Sequence, residues 1–284
     1  MSHLISATDL AALRDGAAPV RVLDVRWRLD RPDGRPDYLA GHIPGAVYVD
    51  LDHELASHGA PEEGRHPLPQ AAELQASARR WGINPGDRVV AYDDTKSAAA
   101  ARAWWLLRRT GIDIVVLDGG LRAWVGAGLP LETADVVPAP GTISLHDSRA
   151  GEITIDEAAV FSEKGVLIDA RAPERYRGEV EPLDPIAGHI PGAVNRLTMN
   201  NLADDGTFLG PDALRAHFAA LGVRPGTPVA AYCGSGITAS HTALALSEAG
   251  IEPLVFSGSW SQWSNTPGRE VALGGTPRDQ VVSR

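Results

Sequence analysis

A chain of 284 residues, 44% of them hydrophobic, can build one or two packed cores, and its length favours two domains. The formal net charge of -10, with no local Lys/Arg cluster, argues against a nucleic-acid partner, and no apolar run reaches the roughly twenty residues of a membrane helix. A single cysteine excludes an intramolecular disulfide and any cysteine-cluster metal site, which leaves Cys233 as a buried filler or a reactive thiol.

In chain order, the opening MSHLISATDL has no basic stretch followed by an apolar one, so a soluble cytoplasmic protein with no membrane partner is expected. The first strand signal is Val20–Val25, within a run that ends acid-x-Arg, VLDVR at Val22–Arg26. GHIPGAV follows at Gly41–Val47, and Ala46–Val49 reads as a second short strand. Ala71–Trp81 is helical in composition. Val89–Tyr92 and Ile112–Leu117 are β-branched runs of buried strand type, separated by the helical stretch Ala98–Thr110, which Gly111 closes. Glu132–Ser148 has Pro138, Pro140 and Gly141 and no periodicity, as expected of a connection.

The pattern then repeats. LIDAR at Leu167–Arg171 parallels VLDVR, and GHIPGAV recurs at Gly188–Val194. LGVRPGTPVAAYC from Leu221 parallels WGINPGDRVVAYD from Trp81, and SGSWSQW from Ser257 parallels DGGLRAW from Asp118. Alternating strands and helices in each copy predict an α/β fold, two tandem domains each with a mostly parallel, helix-flanked sheet. The expected division is a first domain at 1–135, a linker at 136–148 and a second domain at 149–284. His42 and His189 recur in both GHIPG segments and are read as structural residues of that turn.

The second copy sets Cys233 between the strand Val229–Tyr232 and a helix from Ile237 to Ala249, joined by CGSGIT. A strand-to-helix turn with two glycines aims successive backbone N–H groups inward, and the helix dipole adds to this anion nest. Both effects favour a nucleophilic thiolate over an inert thiol.

AYCGSGITA, DARAPERYRG and the paired GHIPG segments resemble the tandem-domain rhodanese family, and CGSGIT is similar to the loop of the 3-mercaptopyruvate sulfurtransferases. The resemblance covers almost the whole chain. It implies a sulfurtransferase without cofactor or metal, in which Cys233 attacks the sulfur of 3-mercaptopyruvate, or alternatively of thiosulfate, and becomes a persulfide. A thiol or cyanide, with a thioredoxin-like protein as one candidate, then accepts the outer sulfur. Asp93 aligns with Cys233, which implies a catalytically inactive first domain. Ser235, His66 and Asp52 match the family's proton relay, which would protonate the leaving enolate. Arg175 matches the arginine that binds the donor carboxylate, while Gly234, Gly236, Ile237 and Thr238 complete the loop that binds substrate. Members of the group usually carry a second arginine before GHIPG. EVEPLDPIA contains none, and Arg196 and Arg177 are the candidate replacements.

Two rivals stand against this reading. A cysteine phosphatase also holds Cys in such a nest, but its chemistry needs a loop arginine, and no Arg lies between Cys233 and Gly250. A non-catalytic sulfur carrier or binding module would be expected to lose the cysteine. Among donors, the neutral Gly234–Ser235 pair favours mercaptopyruvate over the dianion thiosulfate.

Overall fold

The computed structural model describes residues 2–16, 19–146 and 150–282. The end of the expected linker, the expected domain start at residue 149 and the chain ends at Met1 and Arg284 lie outside the described residues. The chain divides into two compact units, neither continuous in sequence. One comprises Met1–Ser57, Leu68–Ala150 and Asp204–Phe208; the other comprises His58–Pro67, Gly151–Ala203 and Leu209–Arg284.

The first unit has strands β1 (Leu4–Ile5), β2 (Val20–Asp24), β3 (Val47–Tyr48), β4 (Arg88–Tyr92) and β5 (Ile114–Leu117), in the spatial order β1-β5-β4-β2-β3 and all parallel. Its helices are α1 (Ala7–Asp15), α2 (Arg35–Ala40), α3 (Leu51–Glu54), α4 (Ala71–Arg80), α5 (Ala98–Arg108) and α6 (Gly120–Gly126). The central strand β4 buries Val89, Val90, Ala91 and Tyr92 in succession, as a strand covered on both faces must. Helix α4 buries one face through Leu74 and Ala78, whereas α5 is buried from Ala99 to Leu107. The strands expected from composition recur within two residues. The two-residue β1 and the helix α1, which Ser6 caps by accepting from the Asp9 N–H at 3.1 Å, were not anticipated.

The second unit has α7 (Ile155–Val160), β6 (Val166–Asp169), α8 (Pro173–Tyr176), β7 (Val194–Asn195), α9 (Pro211–Ala220), β8 (Val229–Tyr232), α10 (Ile237–Glu248), β9 (Pro253–Val255) and α11 (Ser259–Asn265). Its sheet runs β7-β6-β8-β9, all parallel, and an antiparallel pair, β10 (Val271–Ala272) and β11 (Val281–Val282), follows. A parallel bridge from Glu152 to Val255 stands where the first unit has β1 beside β5. Phe161, Leu167, Tyr232, Phe256, Trp260 and Trp263 form the core.

The repeated motifs tie the same parts together in each unit. Arg26 grips Asp24, and Arg171 grips Asp169, through paired hydrogen bonds between buried side chains. Each arginine also donates to the first carbonyl of a GHIPG turn, Gly41 at 2.9 Å and Gly188 at 2.6 Å. His42 and His189 stack on Tyr38 and Tyr176 at 3.9 and 3.7 Å between ring centroids, and each ring Nδ1 lies 2.8 Å from that tyrosine's carbonyl oxygen. The recurring histidines are therefore packing residues of the turn. Among the described residues no helix is long and apolar enough to cross a membrane.

Candidate active site

Asp169 pairs with Tyr232 at the last register of β6 and β8, so Cys233 leaves the sheet at its carboxyl edge, where open α/β sheets place their ligands. The thiol is the chain's only one and is buried, 2% exposed. Gly236 turns into the left-handed region, φ 86°, immediately before α10, and its N–H donates to the Cys233 Sγ at 3.1 Å. The helix behind it is twelve residues long and directs its positive end at the sulfur.

The loop is held from below by the first turn of α11. Trp260 N–H donates to the Cys233 carbonyl at 3.0 Å, and Ser261 N–H donates to that of Gly234 at 2.8 Å. Cys233 N–H itself donates to Ser259 Oγ at 3.1 Å, and that hydroxyl donates to Phe256 O at 2.9 Å. Ser259 does this from a left-handed backbone, φ 54°, which is unfavourable for a residue with a side chain.

Ser235 Oγ lies 2.8 Å from His66 Nδ1, so two expected relay residues meet. The segment carrying His66 belongs to the second unit. Two contacts with α11 and its approach fix it. Arg65 N–H donates to Ser261 Oγ at 3.1 Å, and Gly64, at φ 88°, comes so near that an added Cβ would lie 2.8 Å from the Gly258 oxygen. Asp52 lies on α3, in the first unit.

Arg175, on α8, is mostly buried and belongs beside the loop. Its Nε and Nη2 donate to Glu181 at 3.2 and 2.6 Å, and Nη2 also reaches Asp184 at 3.3 Å. Arg65, which sequence reasoning missed, pairs with the other oxygen of Asp184. A Cβ built on Gly234 would lie 3.3 Å from Arg65 Nη2 and 3.5 Å from Arg175 Nη1, so two guanidinium groups flank the residue next to Cys233. The loop's neutral sequence had implied no full charge there. The charge comes from distant segments instead, and the only hint was that Arg65 adjoins His66. EVEPLDPIA supplies the carboxylates Glu181 and Asp184 that hold these arginines.

The two candidate replacements point elsewhere. Arg177 pairs with Glu179 at 2.7 Å and is exposed, while Arg196 donates to Asn201 and Asn200 and meets His217. Ile237 and Thr238 open α10; the first is buried, and the carbonyl of the second accepts from Thr198 Oγ1 at 3.3 Å.

The first unit builds the same strand-loop-helix turn and fills it with its own anion. The buried Asp93 carboxylate accepts N–H bonds from Thr95 and Ser97 at 2.8 Å and from Ala99 and Ala100 at 2.9 Å. Burial pushes this carboxyl up to about 6, against the downward pull of the backbone donors. What the second unit offers in that place is a thiol under a backbone donor, two guanidinium groups and a hydroxyl–imidazole pair. That set suits a nucleophile working on an anionic substrate.

The comparisons with known proteins agree. The rhodanese-like domain matches residues 6–127 and again 154–266. The chain is 50% identical over 275 residues to the Mycobacterium tuberculosis protein described as "Putative thiosulfate sulfurtransferase SseB", covering 95% of this chain and 97% of that one. It is 44% identical over 286 residues to a Pseudomonas aeruginosa protein described as "Probable 3-mercaptopyruvate sulfurtransferase", covering 96% and 99%. The crystal structure of SseA from Escherichia coli, described among 3-mercaptopyruvate sulfotransferases, superposes with a TM-score of 0.81 at 31% identity, covering 92% of this chain and 99% of that one. The chain therefore belongs to the rhodanese family and carries two rhodanese-like domains in tandem.

Proposed function

We propose that this sulfurtransferase takes the thiol sulfur of 3-mercaptopyruvate onto Cys233, where it becomes the sulfane sulfur of a persulfide, and passes it to a thiol or cyanide acceptor. The observation that carries this reading is the Ser235–His66 hydrogen bond two residues beyond a cysteine whose sulfur accepts the Gly236 N–H. The Cys233 thiolate attacks the donor sulfur, the carbon–sulfur bond breaks, and its electrons leave on pyruvate enolate. The proton of the donor thiol ends on the enolate carbon, so the products are the persulfide anion and pyruvate. Ser235 and His66 are the groups in place to carry that proton. Asp52 is assigned to the same relay on the family resemblance.

In this reading Arg175 binds the donor carboxylate, and the loop from Gly234 through Gly236 and Ile237 to Thr238 surrounds the reacting sulfur. The second repeat, 149–284, is the catalytic domain, joined by the linker 136–148 to an inactive first repeat, 1–135, whose Asp93 cannot hold a sulfane sulfur. A persulfide on a lone thiol suits a reducing compartment, so the cytoplasm is its proposed location and a thioredoxin-like dithiol a fitting acceptor.

Thiosulfate is the second reading, favoured by one observation. The two guanidinium groups at Gly234 are cations of the kind a dianion seeks. Steady-state rates with the two donors and cyanide decide between them. The His66→Ala variant adds the mechanism: pyruvate enolate gains from protonation, whereas sulfite leaves as a stable anion. His66→Ala is expected to lower kcat/KM for mercaptopyruvate about tenfold more than for thiosulfate. Equal losses with both donors remove His66 from the relay, and a wild type that turns over thiosulfate alone reverses the choice of donor.

A further inference from the structure

Arg196 follows β7 as a half-buried cation, and among the described residues no carboxylate pairs with it. Its acceptors are all neutral. Nε donates to Asn201 Oδ1 at 3.1 Å, and Nη2 donates to the Asn200 carbonyl and to His217 Nδ1, each at 2.7 Å. The buried Phe218 ring lies 5.8 Å away on α9. Burial lowers the pKa of this guanidinium, and no anion offsets that cost. Arg65, Arg171 and Arg175 of the same unit, by contrast, each have a carboxylate.

Counting donors shows what this cluster lacks. A guanidinium has five N–H bonds, and the three on Nε and Nη2 are used, so the two on Nη1 remain. Arginine cannot accept, so His217 Nδ1 does, and the neutral ring therefore carries its proton on Nε2. Asn201 is wholly buried, and its Nδ2 has no hydrogen-bond partner. A buried amide donor left without an acceptor is costly, and here it belongs to the side chain that holds an uncompensated cation. Donors are in excess and negative charge is missing.

We propose that Arg196, His217 and Asn201 form a binding site for a tetrahedral oxyanion, phosphate or sulfate, separate from the place where the sulfur donor reacts. A planar carboxylate wants a fork of two guanidinium nitrogens, and here Nε and Nη2 are both committed. Donors carried by three different side chains suit oxygens that point in different directions, and the ion supplies the charge that Arg196 lacks. The site is built on the helical turn Thr198–Asn201, whose Thr198 hydroxyl donates to the Thr238 carbonyl in the first turn of α10 at 3.3 Å. An ion bound there restrains that turn. The proposal does not depend on which donor loads Cys233.

Sodium phosphate, compared with sodium chloride at equal ionic strength, should raise the Tm of wild type by about 3–5 °C more than that of Arg196→Gln at about ten times its dissociation constant. Sodium sulfate should act in the same direction. Arg175→Gln should keep the full effect, which separates this site from the guanidinium groups beside Gly234. Hydrogen exchange of wild type then locates the ion without any variant. The amides of residues 198–202 should exchange more slowly when phosphate is added, and those of the Cys233 loop should not.

Equal phosphate effects on wild type and Arg196→Gln overturn the proposal, and so does an effect lost in Arg175→Gln but kept in Arg196→Gln. Where Arg196→Gln does not fold, the exchange experiment decides alone: protection confined to the Cys233 loop, or no protection anywhere, overturns the site.

Discussion

Cys233→Ser should reduce turnover with either donor by roughly a thousandfold or more, because no other group in the chain can hold a sulfane sulfur. The chain has no second thiol to take over. A serine hydroxyl is a far weaker nucleophile at neutral pH, and an oxygen–sulfur bond would not pass its sulfur on as a persulfide does. The substitution is nearly isosteric, and the bonds from Trp260 and Ser261 to the loop carbonyls, and from Cys233 N–H to Ser259, involve the backbone of residue 233 or 234. The fold should survive, so lost activity reports on the sulfur itself. Turnover within tenfold of wild type in folded Cys233→Ser would remove Cys233 as the nucleophile.

Asp93→Ala should have the largest effect on stability and little on chemistry. The substitution leaves four N–H groups, those of the half-buried Thr95 and of the buried Ser97, Ala99 and Ala100, without their acceptor. At about 1 kcal/mol or more for each, the first unit should lose roughly 4 kcal/mol, seen as faster hydrogen exchange along α5. Turnover per folded molecule should stay within about twofold, since Asp93 supplies no group to the reaction.

The same residue makes a signed pH prediction. Its carboxyl is raised from the ordinary 3.8 to about 6, so the folded unit binds the proton more tightly than the unfolded chain does. The stabilising effect of protonation is complete below the unfolded value and disappears as pH rises through 6. Wild type's margin over Asp93→Ala should therefore shrink by roughly 1–2 kcal/mol between pH 5 and pH 8. A margin that grows over this range would mean that the four backbone donors outweigh burial.

Much of this molecule is legible in its sequence because the chain says the same thing twice. The paired GHIPGAV and acid-x-Arg segments expose the duplication, β2, β4 and β5 announce themselves as β-branched runs, and β8 is found by its parallel with β4. The position of Cys233 between β8 and α10 follows from the glycines around it, and the meeting of Ser235 with His66 from the resemblance. The two-residue strands β1 and β7 are too short to show any period, and they depend on the register of their neighbours.

Arg65 was hidden for a different reason. Its partner Asp184 is 119 positions away, and a guanidinium beside Gly234 leaves no mark on the loop's own letters. Ser259 looks like an ordinary serine until its left-handed backbone and its bond to the Cys233 N–H are seen. The letter Asp93 told of a missing nucleophile, but not that its carboxylate occupies the nest that the loop of the first unit forms.

The most direct test is the intact mass of wild-type protein after incubation with 3-mercaptopyruvate in the absence of an acceptor. The lone thiol has no internal partner to resolve a persulfide, so the protein should become heavier by one sulfur atom, located on Cys233, with an equal amount of pyruvate released. Cyanide should then return the mass to its starting value. Pyruvate release under single-turnover conditions with no sulfur retained on Cys233 would contradict the persulfide mechanism.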